Sequence, residues 1–124
     1  MGLWIHSDLM SLLVISSSLN PESNSRKLAK TAVTHAKKET IEVTYVDLRD
    51  YSLDPCDGGK SFEHKNLKSL NTFIEQAGAI LLCAPIYAYS VSAVLRNLIE
   101  HTGRSMAGKP VGLMVAAGGK NSYM

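Results

Sequence analysis

Cysteine is scarce in this chain, and nothing in its placement staples a fold or holds a metal. Only Cys56 and Cys83 occur among 124 residues. Cys83 lies in the apolar run AILLCAP and reads as a small buried hydrophobe, while Cys56 stands in a polar loop as a candidate surface thiol. Without a secretory context no disulfide is expected, and no spacing matches a zinc site. An excess of one charge is lacking too. Thirteen Lys and Arg against 11 Asp and Glu leave a net charge of +2, too mild to argue for a nucleic-acid partner. No run approaches the ~18 apolar residues that a membrane span requires. The N-terminal MGLWIHSDLM has no basic leader region and carries Asp8, so it makes a poor signal peptide. Internal repeats and low-complexity tracts are missing as well. These absences leave a soluble, cytoplasmic chain as the expectation, with neither a membrane nor a nucleic acid as partner.

What is present is apolar and periodic. Hydrophobic residues make up 45% of the chain, and a domain of this size buries roughly two-thirds of its unfolded surface. Met10 stands just before the first apolar run. Residues 1–9 are therefore expected to be an extension outside the fold, with one domain over residues 10–124. Ser11–Ser16 reads as a strand buried on both faces. Glu22–Lys37 carries Leu28, Ala29, Ala32, Val33 and Ala36 at helical spacing, and the basic residues Arg26, Lys27, Lys30, Lys37 and Lys38 fall in the same helix. IEVTYVDL (Ile41–Leu48) is β-branched and alternating, and the turn formers of Asp50–Lys60 make a loop. A second helix runs through Leu67, Leu70, Phe73, Ile74 and Ala77 and is stopped by Gly78. The strand Ala79–Ala84 follows and ends at Pro85. The third helix, marked by Val91, Val94, Leu95, Leu98 and Ile99, ends near Gly103, and Pro110–Ala116 is the fourth strand. The order βαβαβαβ predicts an α/β fold with right-handed crossovers and a parallel sheet.

Ligands of such sheets sit beyond the carboxyl ends of the strands. Three loops converge there, at Ser16–Ser25, Pro85–Ser92 and Ala117–Ser122, and each has an odd composition. The first crowds Ser16, Ser17, Ser18, Asn20, Ser23, Asn24 and Ser25 into one strand-to-helix turn. Ser and Asn are ordinary turn and cap residues, but seven of them at a helix N-terminus suit an anion. The second places Tyr87 and Tyr89 after Pro85, as a lid over the core or a rest for a planar ligand. The third ends in Gly118 and Gly119, which would let such a plane approach the main chain. The dinucleotide fingerprint and the Walker A motif are both missing. GGKS at 58–61 follows no strand and has Asp54 where the latter needs Gly, while Lys120 is not followed directly by Ser or Thr. The four histidines, His6, His35, His64 and His101, lie outside these loops and read as surface residues. No catalytic side chain and no metal ligand is expected.

In order and interval, the three loops resemble the NAD(P)H-dependent FMN reductase family. The family pattern G-S-x-R-x-x-S before a Leu-Ala pair is similar to SSLNPESNSRKLA (Ser17–Ala29). Its P-x-Y loop leading to P-G-x-L-K-N is similar to PIYAYSVSAVLRN (Pro85–Asn97), and its G-K-P-V strand with a Gly pair to GKPVGLMVAAGG (Gly108–Gly119). This chain departs at Ser17 for Gly, Asn20 for Arg, and Ser92-Ala93 for Pro-Gly. The resemblance implies a flavodoxin-like, doubly wound sheet of order 2-1-3-4. It implies that Ser18, Ser23 and Ser25, with Asn20 and the backbone of Asn24, hold the phosphate of FMN. Pro85, Ile86, Tyr87, Ala88, Tyr89 and Ser90 would meet the ribityl chain and ring, and Gly118, Gly119 and Ser122 the pyrimidine edge.

The family fold continues with a helix, a fifth strand and a last helix. A chain ending at Met124 is expected to lack that fifth strand through truncation and to leave its fourth strand as an exposed edge. The activity implied is hydride transfer from NADPH or NADH to flavin N5 and onward to free flavin, a quinone or a similar acceptor, in a homodimer or homotetramer. A flavodoxin-like electron carrier and a flavodoxin-like module that no longer binds FMN remain the alternatives.

Overall fold

The computed structural model describes residues 11–119, so the expectations for residues 1–9 and for Ser122 lie outside the described residues. The elements in chain order are β1 (Ser11–Ser16), α1 (Asn24–Lys38), β2 (Glu42–Asp47), a 3-10 turn (Lys60–Glu63) and α2 (Lys65–Gln76). These are followed by β3 (Ala79–Tyr87), β4 (Ser90–Val91), α3 (Ala93–Met106) and β5 (Val111–Ala117). The long strands are parallel in the order β2-β1-β3-β5, the architecture expected from the alternation of elements. The two-residue β4 was not anticipated. It turns back antiparallel on β3 through Ile86↔Val91 and Tyr87↔Ser90.

The same register explains why Pro85 does not end its strand. Along a strand the backbone polar groups of successive residues point to opposite edges. Ile80 N–H donates to the Pro110 carbonyl on the β5 side, and the Cys83 carbonyl accepts from Ser17 N–H on the β1 side. Pro85, two residues on, faces the β1 side beyond the last β1–β3 pair, Ser16↔Cys83. No ladder bond is lost there by a residue without N–H, and β3 continues to Tyr87. Because β5 occupies the opposite edge as far as Ile86↔Ala117, β4 lies on the β1 edge, above the carboxyl end of β1.

Helices cover both faces of the central strands β1 and β3. On one, Leu13, Ile15, Ile80 and Leu82 pack with Leu70 and Ile74 of α2 and Leu95 and Leu98 of α3. On the other, Val14 and Cys83 lie under Ala29 of α1. Burial pushes the Cys83 thiol up to about 11, so it is a packing group and not a reactive thiolate. α3 runs past Gly103, which is exposed, because Thr102 and Met106 are buried on its inner side. β5 pairs only with β3 among the described strands, and Val111, Leu113 and Val115 are exposed.

Two polar groups of α3 fasten the long loop after β2. Asn97 Oδ1 accepts from Cys56 N–H at 2.8 Å and its Nδ2 donates to the Asp54 carbonyl at 3.0 Å. One turn on, His101 holds Ser61: Nδ1 lies 2.8 Å from the Asn97 carbonyl and Nε2 3.0 Å from Ser61 Oγ. A carbonyl only accepts, so Nδ1 carries a proton, and in the neutral ring Nε2 accepts from the Ser61 hydroxyl. His101 is 6% exposed, against the surface position expected for every histidine. Its four-residue spacing from Asn97 puts both on one helix face. His35 is exposed and His64 half-buried, its Nδ1 capping α2 by accepting from Asn66 N–H. Cys56 is half-buried rather than freely exposed.

The attachment that matters most for the strand ends joins α1 to β2. Arg26 and Asp47 are only 5% and 7% exposed, and Arg26 Nε donates to Asp47 Oδ2 at 2.8 Å. Arg26, grouped in the sequence with the other basic residues of this helix, is therefore a buried cation. Arg49 donates to the same carboxylate through Nη2 at 2.8 Å and its backbone N–H at 2.9 Å. Burial by itself would raise the Asp47 carboxyl, but the bonds from Arg49 and Arg26 prevail and hold it below the usual carboxylate range.

Two predictions follow from these attachments. Asn97→Ala leaves Cys56 N–H and the Asp54 carbonyl without their partner, so limited proteolysis within residues 50–63 should quicken and urea unfolding should show a loss of about 1–3 kcal/mol. Asp47 has a depressed pKa in the folded chain. Its contribution is therefore fully present above the unfolded carboxyl pKa and is lost as pH falls through the folded one. Asp47→Asn should lower stability near neutrality by about 3 kcal/mol, since it strands a buried guanidinium. Melting temperatures of the two proteins should begin to converge only as pH falls below about 4, the ordinary carboxyl range, and meet below the depressed folded-state value; a gap that stays constant until the folded protein is lost to acid would rule this out.

Candidate functional site

A cavity of about 430 Å³ opens where the carboxyl ends of β1, β3 and β5 meet the N-terminus of α1. Ser18, Asn20, Ser23, Asn24 and Ser25 line one end, together with the exposed Glu22. Pro85, Ile86, Tyr87 and Ala88 line a second side, and Ala116, Ala117 and Gly118 a third. The three loops that sequence alone marked out therefore meet in one depression. Tyr89, Ser90 and Gly119 are not among its lining residues.

The serine-rich loop is held by its own side chains. Ser17 turns away from the cavity: its N–H and Oγ both donate to the Cys83 carbonyl, at 3.0 and 2.9 Å, tying β1 to β3. Asn20 N–H donates to Ser18 Oγ at 3.2 Å, and Glu22 N–H to Asn20 Oδ1 at 3.0 Å. These local bonds are turn chemistry. Ser23 is the N-cap, and the helix begins at Asn24, two residues later than the start expected at Glu22. The Ser23 Oγ accepts from Arg26 N–H at 3.0 Å and lies 2.9 Å from Ser25 Oγ. A helix N-terminus leaves its first N–H groups without intrahelical acceptors. Ser23 satisfies the Arg26 N–H, so those of Asn24 and Ser25 belong to the open end of the helix, beside the Ser23 and Ser25 hydroxyls. Such an end carries about half a positive charge. Only Glu22 adds a carboxylate to the lining.

Arg26 completes the loop from behind. Its Nη2 donates to the Ser18 carbonyl at 2.6 Å and its Nη1 to the Asn20 carbonyl at 2.5 Å. Sequence reasoning missed this role. The available signal was Asp47, the acidic residue at the carboxyl end of the neighbouring strand, where a counter-charge for a buried cation would have to stand.

Opposite the loop, Tyr87 to Ser90 form a two-residue hairpin. Ala88 and Tyr89 have φ of 50° and 65°, the type I′ geometry normally given to Asn-Gly. Each left-handed non-glycine residue costs about 1–2 kcal/mol, so the hairpin is held by the register of β3 against β4 rather than by local preference. It leaves Tyr87 57% and Tyr89 64% exposed. On the third side, a Cβ added at Gly118 would meet no atom of the described chain. Glycine there keeps space over the cavity clear and relieves no clash.

The arrangement can hold an anion at the α1 end and a flat, partly apolar body against Pro85–Ala88 and Gly118. Among the described residues no group of His, Cys, Asp and Glu could hold a metal ion, and no helix is long and apolar enough to cross a membrane.

The sheet and helices are shared with solved flavin enzymes. The flavoenzyme NAD(P)H:(acceptor) oxidoreductase of Paracoccus denitrificans superposes with a TM-score of 0.74 at 23% identity, over 89% of this chain and 62% of that one. An apo NADH:FMN oxidoreductase does so with a TM-score of 0.71 at 21% identity, over 90% and 60%. At these identities the likeness is one of fold, and it is the flavodoxin-like fold expected. An iron-sulfur flavoprotein of Methanocaldococcus jannaschii is 30% identical over 100 residues, covering 75% of this chain and 52% of that protein. An FMN-dependent NADPH-azoreductase of Staphylococcus aureus is 29% identical over 113 residues, covering 86% and 60%. The chain thus spans between half and two-thirds of the length of these relatives. The family model for NADPH-dependent FMN reductase matches residues 10–124, nearly the whole sequence, and the chain belongs to that family.

Proposed function

We propose that the cavity binds FMN and that the protein to which this chain belongs is an NAD(P)H-dependent flavin oxidoreductase. The observation that carries this reading is the convergence of the Ser18–Ser25 loop and the Pro85–Ala88 segment on one depression of about 430 Å³, a size typical of sites for small molecules and cofactors. The donor set suits a phosphate: three hydroxyls, the open N–H groups of a helix start and the helix dipole. The family's Arg is replaced by Asn20, so neutral donors would carry that task.

Bound FMN would supply the redox chemistry, accepting hydride from NADPH or NADH and delivering electrons to an acceptor such as free flavin, a quinone or, as the azoreductase relatives suggest, an azo compound. The chain's own residues bind and orient. Ser18, Ser23 and Ser25 donate hydroxyls, and Asn24 and Ser25 donate N–H groups, at the phosphate end. Pro85, Ile86, Tyr87 and Ala88 shape the wall for the ribityl chain and ring. Tyr89 and Ser90, on the hairpin above that wall, stand at its rim, and Gly118 and Gly119 leave the far edge open. No side chain is asked to move a proton.

Fluorescence titration of the purified chain with FMN and with riboflavin tests the reading. FMN should bind at least about tenfold more tightly, because charge-assisted bonds to the phosphate are absent with riboflavin. NADPH or NADH oxidation with added FMN should then be measurable. Equal or absent binding would overturn the cradle, and tight FMN without nicotinamide oxidation would point to an electron carrier. A second prediction concerns the hairpin. Tyr89→Gly removes a left-handed side chain and should raise the unfolding free energy by about 1 kcal/mol. The same change should weaken riboflavin and FMN alike, by about threefold, through the loss of one aromatic ring at the rim.

A further inference from the structure

Resting on the reading of the α1 end of the cavity as a phosphate cradle, we propose that Arg26 is a positioning residue that gives the cradle its preference for an anion. It does so by drawing backbone carbonyls out of the cavity rather than by offering charge. An anion-binding loop faces a problem that hydroxyls alone do not solve. Every peptide unit brings a carbonyl along with its N–H, and a carbonyl turned toward a phosphate repels it.

Four carbonyls of this loop have identified partners. That of Ser16 accepts from Leu48 N–H at 2.9 Å and that of Ser23 from Lys27 N–H at 3.3 Å. Those of Ser18 and Asn20 lie in the stretch where no strand or helix can take them. Both are taken by Arg26, through Nη2 and Nη1. Its third nitrogen, Nε, is fixed on Asp47 Oδ2, so all three nitrogens of a buried guanidinium are committed to partners within the protein.

Asp47 sits against that guanidinium and offsets its charge, and Arg49 adds a second cation on the same carboxylate at the surface. Arg26 is not among the residues that line the cavity. What it contributes is geometry: a planar fork that grips two carbonyls and one carboxylate at fixed angles. A lysine ammonium, as a single point of charge, cannot reproduce this. The departure at Asn20 gives the role its weight, since no exposed arginine is present in this loop to attract a phosphate whatever the backbone does.

The test measures the ratio of the riboflavin and FMN dissociation constants by flavin fluorescence, for the unaltered chain, Arg26→Lys and Asp47→Asn. Arg26→Lys is expected to cut the preference for FMN by about tenfold while the riboflavin constant stays within about twofold, because the wall at Pro85–Ala88 is untouched. Asp47→Asn separates geometry from charge, and serves also if the lysine variant does not fold. It leaves an uncompensated cation behind the loop, so a charge role predicts a stronger FMN preference and a positioning role a weaker one. A ratio kept in either folded variant, a stronger preference in Asp47→Asn, or equal weakening of both ligands overturns the proposal and leaves the cradle standing. No preference in the unaltered chain overturns the cradle and this proposal with it.

Discussion

The Arg26–Asp47 pair is the contact on which the end of the sheet depends. It joins the first turn of α1 to the last residue of β2, across the carboxyl end of β1, and so fixes where the helix begins relative to the strands. Removing two charges from water is costly, and a buried ion pair is rarely a net source of stability. Its value here is directional. With the guanidinium anchored on β2, the Ser18 and Asn20 carbonyls of the loop between β1 and α1 are both satisfied, while Ser18, Ser23 and Ser25 line the cavity.

A second set of bonds plays the same part on the opposite face. Asn97 and His101, one turn apart on α3, receive the irregular segment between β2 and α2 and convert a long loop into a packed layer. Phe62 closes over the His101 ring at a centroid distance of 5.2 Å. The two faces thus use one device, a polar helical side chain that accepts or donates to backbone groups outside regular structure. In both, the loop borrows its order from a helix already held by apolar packing. Leu95 and Leu98 hold α3, and Ala29 holds α1.

Some of this was legible in advance. The apolar runs Ser11–Ser16 and Ala79–Ala84 were readable as buried strands because both faces of a central strand meet helices, and continuous hydrophobicity follows from that. The three site loops stood out because strand-to-helix turns rich in Ser, Tyr or Gly are unusual beside such runs. The misses have a common cause. Arg26 read only as one more basic residue of a helix, His101 as a surface histidine, and Pro85 as a strand terminator. In each case the deciding partner lies far off in sequence: Asp47 for Arg26, Ser61 for His101, and for Pro85 the point at which β1 stops pairing.

By itself, then, the sequence determined the alternation of elements, the parallel sheet and the three loops that meet at its carboxyl edge, because periodicity and turn chemistry are local and each residue carries its own preference. Tertiary structure alone decided which charges are buried, which edge of β3 the Tyr87–Ser90 hairpin returns to, and which way the Ser18–Ser25 loop turns its carbonyls. Those choices depend on hydrogen-bond partners brought together only when the sheet forms. A guanidinium and a carboxylate 21 residues apart have no common geometry until β2 lies beside β1.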